Sequence, residues 1–376
     1  MMQQAFFSLV RAGLWGTPAD AALFRGLAPA QWQELHRLAH TQSLLAVVFD
    51  GLNTLPADLR PPRPLYLQWA AQTLQIEQAN DRLDRMIVRL DRLYTDAGLH
   101  PVLLKGQGMA ACYRQPRHRQ CGDIDVYLGK DGQPRANRLL LEAGAQETGE
   151  ESDKHASYEL DGVHIENHRL VNRTNNPLAN RRFRRLVREW YPQGAERRIG
   201  MPTPPPTFNA LYIFLHAFEH FLNSGIGLRQ LCDWCCLLRT RRDDIDADRL
   251  VRNLRRLGLL RAARAFGYVC VSRLGLPPEC LPFDTDGCRR LGEDLVDEIF
   301  ATGNFGKHDR RITPRPKGYW RGKWHTFCRA TRRVARLYGY APVEACFYPV
   351  TLIKGTLAIQ LNLLKKRLRL WKRTAA

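Results

Sequence analysis

Long apolar runs are missing from this chain of 376 residues, and without one a simple helical membrane span is not expected. The nearest candidate, Val343 to Leu364, is interrupted by Glu344, Pro349, Lys354 and Gln360. No secretory signal is expected either, because Arg11 interrupts the only apolar stretch near Met1. The ten cysteines lack regular spacing, which argues against a disulfide framework and for free thiols in a reducing compartment. No internal repeat or long low-complexity segment occurs. Acidic residues are scarce in one place above all. From Gly306 onward only Asp309 and Glu344 stand against 18 Lys and Arg, a net of +16 out of +20 for the whole chain. The first 305 residues keep only +4, so polyanionic partners, RNA or an anionic membrane surface, are expected through residues 306–376. A soluble cytoplasmic protein is expected, with its end peripheral to the inner membrane surface.

What is present suits a folded core: 44% of residues are hydrophobic. Residues 1–60 alternate apolar patches with turn signals, which predicts short helices. After Pro61, Pro62 and Pro64, the stripe Leu83, Ile87, Leu90, Leu93 predicts one long amphipathic helix over Leu65 to Ala97, stopped by Gly98. Strands are expected at Val102–Lys105 and Ile124–Leu128, with a helix opening at Met109 between them and another across Pro134–Ala143. Asp161-Gly162 between two alternating runs predicts a hairpin of Lys154–Leu160 with Val163–His168. An arginine-dense helix is expected from about Asn172 to Arg198, then a linker around Met201–Pro206. Helices follow over Phe208–Thr240, interrupted at Ser224-Gly225, and over Leu250–Leu274; basic turns and a last helix after Pro349 close the chain. The domains expected are a helical segment 1–97, a catalytic domain 98–200, a helical domain 207–305 and a basic tail 306–376.

The stretch Val102–Leu128 carries the chemistry. Residues two apart on a strand share a face, so Asp123 and Asp125 point together while Ile124 and Val126 enter the core. Paired carboxylates repel unless a cation lies between them, and Mg²⁺ suits oxygen donors. Glu166, in the second hairpin strand, completes a three-carboxylate set of the kind that supports two-metal transfer. Gly106 and Gly108 follow a strand and open a helix, where free amides accept an anion; Lys105, Arg117 and Arg119 add positive charge.

Leu103-Leu104-Lys105-Gly106, Arg119, Asp123-Ile124-Asp125 and Val163-His164-Ile165-Glu166-Asn167-His168 together resemble the uncharacterised nucleotidyltransferase family of bacteria, a branch of the polymerase-β-like superfamily. The resemblance spans roughly residues 5–240, with Gly227-Leu228-Arg229-Gln230-Leu231-Cys232-Asp233-Trp234 similar to the family's helical segment. It implies an α+β fold, a nucleotidyltransferase-like mixed β-sheet with flanking helices followed by a mostly helical domain. It also implies an enzyme using two Mg²⁺ ions, or Mn²⁺, to move a nucleoside monophosphate from a nucleoside triphosphate such as ATP to a hydroxyl acceptor. Asp123, Asp125 and Glu166 are then the metal ligands, with Glu166 also the base. Lys105, Gly106, Gln107, Gly108 and Arg119 face the phosphates, and Arg229 and Asp233 line the nucleotide site. The acceptor is open between a small molecule, a sugar, a protein and a tRNA end. One departure stands out: the wider superfamily has Gly where this chain has Lys105, which supplies a point charge in place of backbone contacts. A toxin-like tRNA nucleotidyltransferase, or a silent nucleotide-binding scaffold at a membrane or polysaccharide locus, are the alternatives.

Other signals compete. His216-Ala217-Phe218-Glu219-His220 matches a zinc-protease spacing, against which stands a helix whose histidines bond internally or line the cleft. Cys232, Cys235 and Cys236 read as apolar core, and Arg229 with Asp233 as an i,i+4 ion pair on a helix face. In the tail, Ile353, Leu357, Leu361, Leu364, Leu368 and Trp371 form an apolar stripe beside clustered Lys and Arg.

Overall fold

The computed structural model describes residues 1–149, 152–192, 195–223, 225–304 and 316–351, together with 353, 354 and 357. Three helices open the chain: α1 (Met2–Trp15), α2 (Pro29–Thr41) and α3 (Leu45–Asn53). α1 and α3 cross so closely that a Cβ on Gly13 would lie 1.9 Å from the Val47 carbonyl oxygen, and one on Gly51 1.9 Å from that of Leu9. Helix α4 (Arg63–Asp96) starts two residues earlier than expected, with Pro64 in its first turn, and ends before Gly98, whose φ of +68° suits glycine. Its 34 residues reach about 50 Å. Trp69, near its start, packs among the N-terminal helices and donates to the Leu45 carbonyl, while Leu83 to Tyr94 pack on the sheet.

The sheet is mixed. β1 (Val102–Leu104) precedes the short helix α5 (Gly106–Ala110), then come β2 (Asp123–Tyr127), α6 (Gly129–Glu142), β3 (Gln146–Glu147), β4 (His155–Leu160) and β5 (Val163–His168). Strand order is β1-β2-β5-β4-β3, with β2 and β5 parallel and every other pair antiparallel. The expected hairpin is present: Asp161 and Gly162 both take positive φ, +51° and +72°, as a type I′ turn requires. One face of β2 and β5, with Ile124, Val126 and Ile165, is sealed by Ile87, Leu90, Ala136 and Leu140 from α4 and α6.

Beyond the sheet the chain is mostly helical: α7 (Pro177–Trp190), the hairpin β6 (Glu196–Ile199) and β7 (Met201–Thr203), then α8 (Pro206–Asn223), α9 (Leu228–Thr240), α10 (Ala247–Leu257), α11 (Leu260–Ser272), α12 (Arg289–Thr302) and α13 (Tyr319–Leu337). Four sequence expectations need correction here. The helix foreseen over Asn172–Arg198 is shorter, because Asn176 caps it by accepting from the Leu178 amide and Pro177 fits only the first turn. The segment foreseen as a linker begins instead with strand β7, whose Met201 is fully buried. α5 starts at Gly106 rather than at Met109. Basic turns were expected where α13 lies, and helix runs over 342–351, before as well as after Pro349. Of the tail stripe, Ile353 and Leu357 are described and exposed; Leu361, Leu364, Leu368 and Trp371 lie outside the described residues. Among the described residues, no helix is long and apolar enough to cross a membrane.

Candidate active site

Register places the carboxylates. In the parallel pair, Asp125 stands opposite Glu166 and Asp123 opposite His164; across β4 and β5, Ser157 opposes Glu166 and His155 opposes His168. Side chains alternate along each strand, so Asp123, Asp125, His164, Glu166, His168 and His155 share the face away from α4 and α6. Oxygens of Asp123, Asp125 and Glu166 come within 4.8 Å of one another, and ligand atoms of His155, Glu166 and His168 form a second group of that size. The first group is all oxygen and fits a hard dication.

Asp125 is fully buried, and its charge is compensated twice. His168 Nε2 donates to Oδ1 at 2.7 Å, and the Lys105 ammonium lies 2.9 Å from Oδ2 as an ion pair. Burial opposes the Asp125 charge, but Lys105 and then His168 outweigh it and hold the carboxyl below its ordinary pKa. Glu166 follows the same logic: burial pushes it up, while the hydrogen bond and charge of His168, with Lys105 and His155, bring it down to about 2. Lys105 is reciprocally stabilised. Burial works against its ammonium, yet Asp125 and Asp123, whose Oδ2 is 3.9 Å away, raise its pKa. Its backbone takes φ +40°, a region that costs a non-glycine residue about 1–3 kcal/mol and clusters at functional sites.

Lys105, Gly106 and Asp123 line a cleft of about 370 Å³, and Asp125 and Glu166 lie behind them, outside its lining. Arg119 and Arg229 reach its wall, but both guanidinium groups hold protein. Arg119 makes a buried fork to Asp233, with Nε 3.0 Å from Oδ1 and Nη2 2.7 Å from Oδ2, and Tyr113 donates to the same carboxylate. Arg229 donates to the Gln120 carbonyl. The i,i+4 pair expected between Arg229 and Asp233 is therefore replaced by one from the loop before β2 to α9, since the buried Asp233 faces Arg119. Gln107 and Gly108 are turned elsewhere: Gln107 donates to Asp84 on α4, and a Cβ on Gly108 would press on Thr203 at 3.2 Å. Arg117 pairs with Asp81 and Glu77 on α4.

α8 closes the charged face. His216 lines the cleft beside Ile213, and its ring centroid is 4.5 Å from that of His220. Burial holds both histidines neutral, His216 far below its ordinary range and His220, with help from Lys105 and Lys154, at about 3. Burial raises Glu219. Cys232, Cys235 and Cys236 are fully buried among apolar side chains. Three contributors escaped the sequence reading. His168 was readable, since it continues the alternation of His164 and Glu166. Ser43, with φ +54°, and Asn304, which donates to its hydroxyl, line the cleft from places 261 residues apart in the chain; no local pattern marks them.

A family model described as an uncharacterised nucleotidyltransferase matches residues 28–275, which is 248 of the 376 residues. The match starts later and ends later than the 5–240 expected, taking in α10 and α11. No curated protein and no solved structure matches the chain.

Proposed function

The chain belongs to the uncharacterised nucleotidyltransferase family, and from that premise we propose that it is a Mg²⁺-dependent enzyme transferring a nucleoside monophosphate from a nucleoside triphosphate to a hydroxyl acceptor. The observation that carries this reading is the convergence of Asp123, Asp125 and Glu166 within 4.8 Å, with Asp123 and the Lys105-Gly106 turn lining the cleft. The three carboxylates would hold the metal, one ion or two, Mn²⁺ serving in place of Mg²⁺. Bound there, the metal neutralises charge on the transferred phosphate and on the leaving pyrophosphate.

The remaining work falls to the chain. The acceptor hydroxyl gives up its proton to solvent water, its oxygen attacks the α-phosphorus, the bond from that phosphorus to the oxygen bridging to the β-phosphate breaks, and pyrophosphate leaves with the electron pair. Lys105 offers the donor's phosphates a point charge, and the Gly106 amide adds a neutral donor. Arg119 is a positioning residue, since its fork to Asp233 fixes the loop that leads into β2. Glu166, with its pKa near 2, is better suited to be a ligand than a strong base. His216, which lines the cleft, and His220 beside it are neutral and add no charge to repel a metal. The acceptor is a small molecule, a sugar, a protein or an RNA end. The C-terminal segment exposes Trp320 and Trp324 beside Arg321 and Lys323, which suits attachment to an anionic membrane surface.

Incubation with each α-labelled nucleoside triphosphate and Mg²⁺, alone and with cell extract, tests the reading. Wild type should pass label to an acceptor and Asp125→Asn should not. A second reading rests on the Lys105 ammonium, which sits 2.9 and 3.9 Å from the two aspartates, where a cation would be sought. On that reading the protein binds nucleotide silently, and nucleotide binding without transfer in every mixture would favour it.

A further inference from the structure

The first 305 residues carry a net charge of only +4, yet the fold gathers arginine on two packed helices. α7 holds Arg181, Arg182, Arg184, Arg185 and Arg188, and α10 holds Arg249, Arg252, Arg255 and Arg256, all exposed. Against these nine stand Glu189 and Asp248 within the two helices, and Glu189 is already paired with Arg249. The helices touch: Arg182 donates to the Arg256 carbonyl. α7 buries Ala179, Phe183, Val187 and Trp190, so its arginines share the outer face.

Arg181, Arg184, Arg185 and Arg188, spaced i, i+3, i+4, i+7, line a groove of about 410 Å³ with Pro177 and Asn180. The four span about 10 Å along the axis. No carboxylate lines the groove, and among the described residues none of the four has an ion-pair partner. Like charges at i,i+4 destabilise a helix, so a solvated helix face would gain from an acidic residue in this row, and the row has none.

We propose that this α7–α10 surface binds the phosphate backbone of RNA. Guanidinium groups match phosphate oxygens with paired hydrogen bonds. A membrane is disfavoured because α7 spends its apolar stripe on the core and leaves only Leu178 as a large exposed apolar side chain. An acidic protein is disfavoured because the groove offers no aromatic or aliphatic anchor, on which protein interfaces depend. RNA also carries a hydroxyl on every sugar, the acceptor group of the proposed reaction; this choice among polyanions rests on that reading. α10 packs on α8, whose Ile213 and His216 line the cleft, so a strand held here lies one helix from the site.

The test is fluorescence anisotropy of the full chain with a labelled RNA hairpin in potassium salt, without nucleotide, so that failure of binding is separate from failure of transfer. Arg184→Glu/Arg185→Glu and Arg252→Glu/Arg255→Glu should each weaken binding about tenfold or more and reduce the slope of log affinity against log salt by about 1 per lost phosphate contact. Arg184→Lys/Arg185→Lys should recover part of the affinity. Unchanged thermal unfolding of the exposed-site variants confirms folding. Undiminished RNA binding by both Glu variants overturns the proposal, as does loss confined to variants that fail to fold. DNA duplex bound as tightly as RNA would overturn the choice of RNA. Vesicles of anionic lipid that bind more tightly, with the same dependence on these arginines, would assign the surface to a membrane.

Discussion

β2 and β5 have two faces made from alternate residues of the same strands, and they are built on opposite principles. One face, Ile124, Val126 and Ile165, is held by non-directional burial against α4 and α6. The other is charged: Asp125 and His168 are fully buried and Glu166 is partly exposed, so each group depends on a particular partner. An apolar face tolerates imperfect fit. The charged face has no such slack, because an unpartnered charge in a buried site is expensive. The asymmetry also explains Lys105: two carboxylates and a glutamate on one sheet face need a cation, and the chain supplies one itself.

The largest effect should come from breaking that compensation. Asp125→Ala takes from Lys105 and His168 their nearest carboxylate and is expected to cost about 3–5 kcal/mol in chemical denaturation, with transfer abolished in what remains folded. Lys105→Met in the same background should recover part of the stability and none of the activity. Next comes the apolar face. Ile165→Ala should cost about 2–5 kcal/mol, yet transfer per folded molecule should stay close to wild type, because the neighbouring carboxylates keep their partners. Equal loss of specific activity in the two variants would show that the faces are not separable.

Glu166 sharpens the contrast through pH. Its folded pKa, near 2, lies below its ordinary 4.5, so its contribution is complete above about pH 4.5 and disappears as pH falls toward 2, by at most about 3 kcal/mol. Metal-free wild type should therefore lose stability more steeply across that window than Glu166→Gln. Parallel curves would refute the pairing with His168 and Lys105. The smallest effect is expected at the cleft wall. Arg119→Lys keeps the charge and loses the fork to Asp233, at about 1.5–3 kcal/mol, and should raise the KM for nucleotide more than it lowers kcat.

The same contrast explains what could be read in advance. The period of two put Asp123 and Asp125 on one face and Ile124 and Val126 on the other, and Asp161-Gly162 fixed the turn that brings Glu166 back. Both are local patterns with strong geometric consequences. The partners were harder to see because they come from distant places. Arg119 and Asp233 are 114 residues apart, and Ser43 meets Asn304 across 261. Nor does a residue type tell whether it serves ligand or scaffold: Gln107 sits inside the phosphate-turn motif, yet its side chain is spent on Asp84. The arginines of α7 were visible as composition. Their alignment into a groove without a carboxylate needed the helix ends set by Asn176 and Trp190.

The central claim, that the charged face is a dication site, is tested most directly by electron paramagnetic resonance of Mn²⁺ titrated into the protein with a non-hydrolysable nucleoside triphosphate. The account predicts that wild type quenches the free Mn²⁺ signal beyond what the nucleotide alone removes, that Mg²⁺ reverses this, and that Asp123→Asn and Glu166→Gln weaken it. A signal the same with and without protein, with nucleotide shown to be bound, would contradict it and leave Lys105 as the site's resident cation.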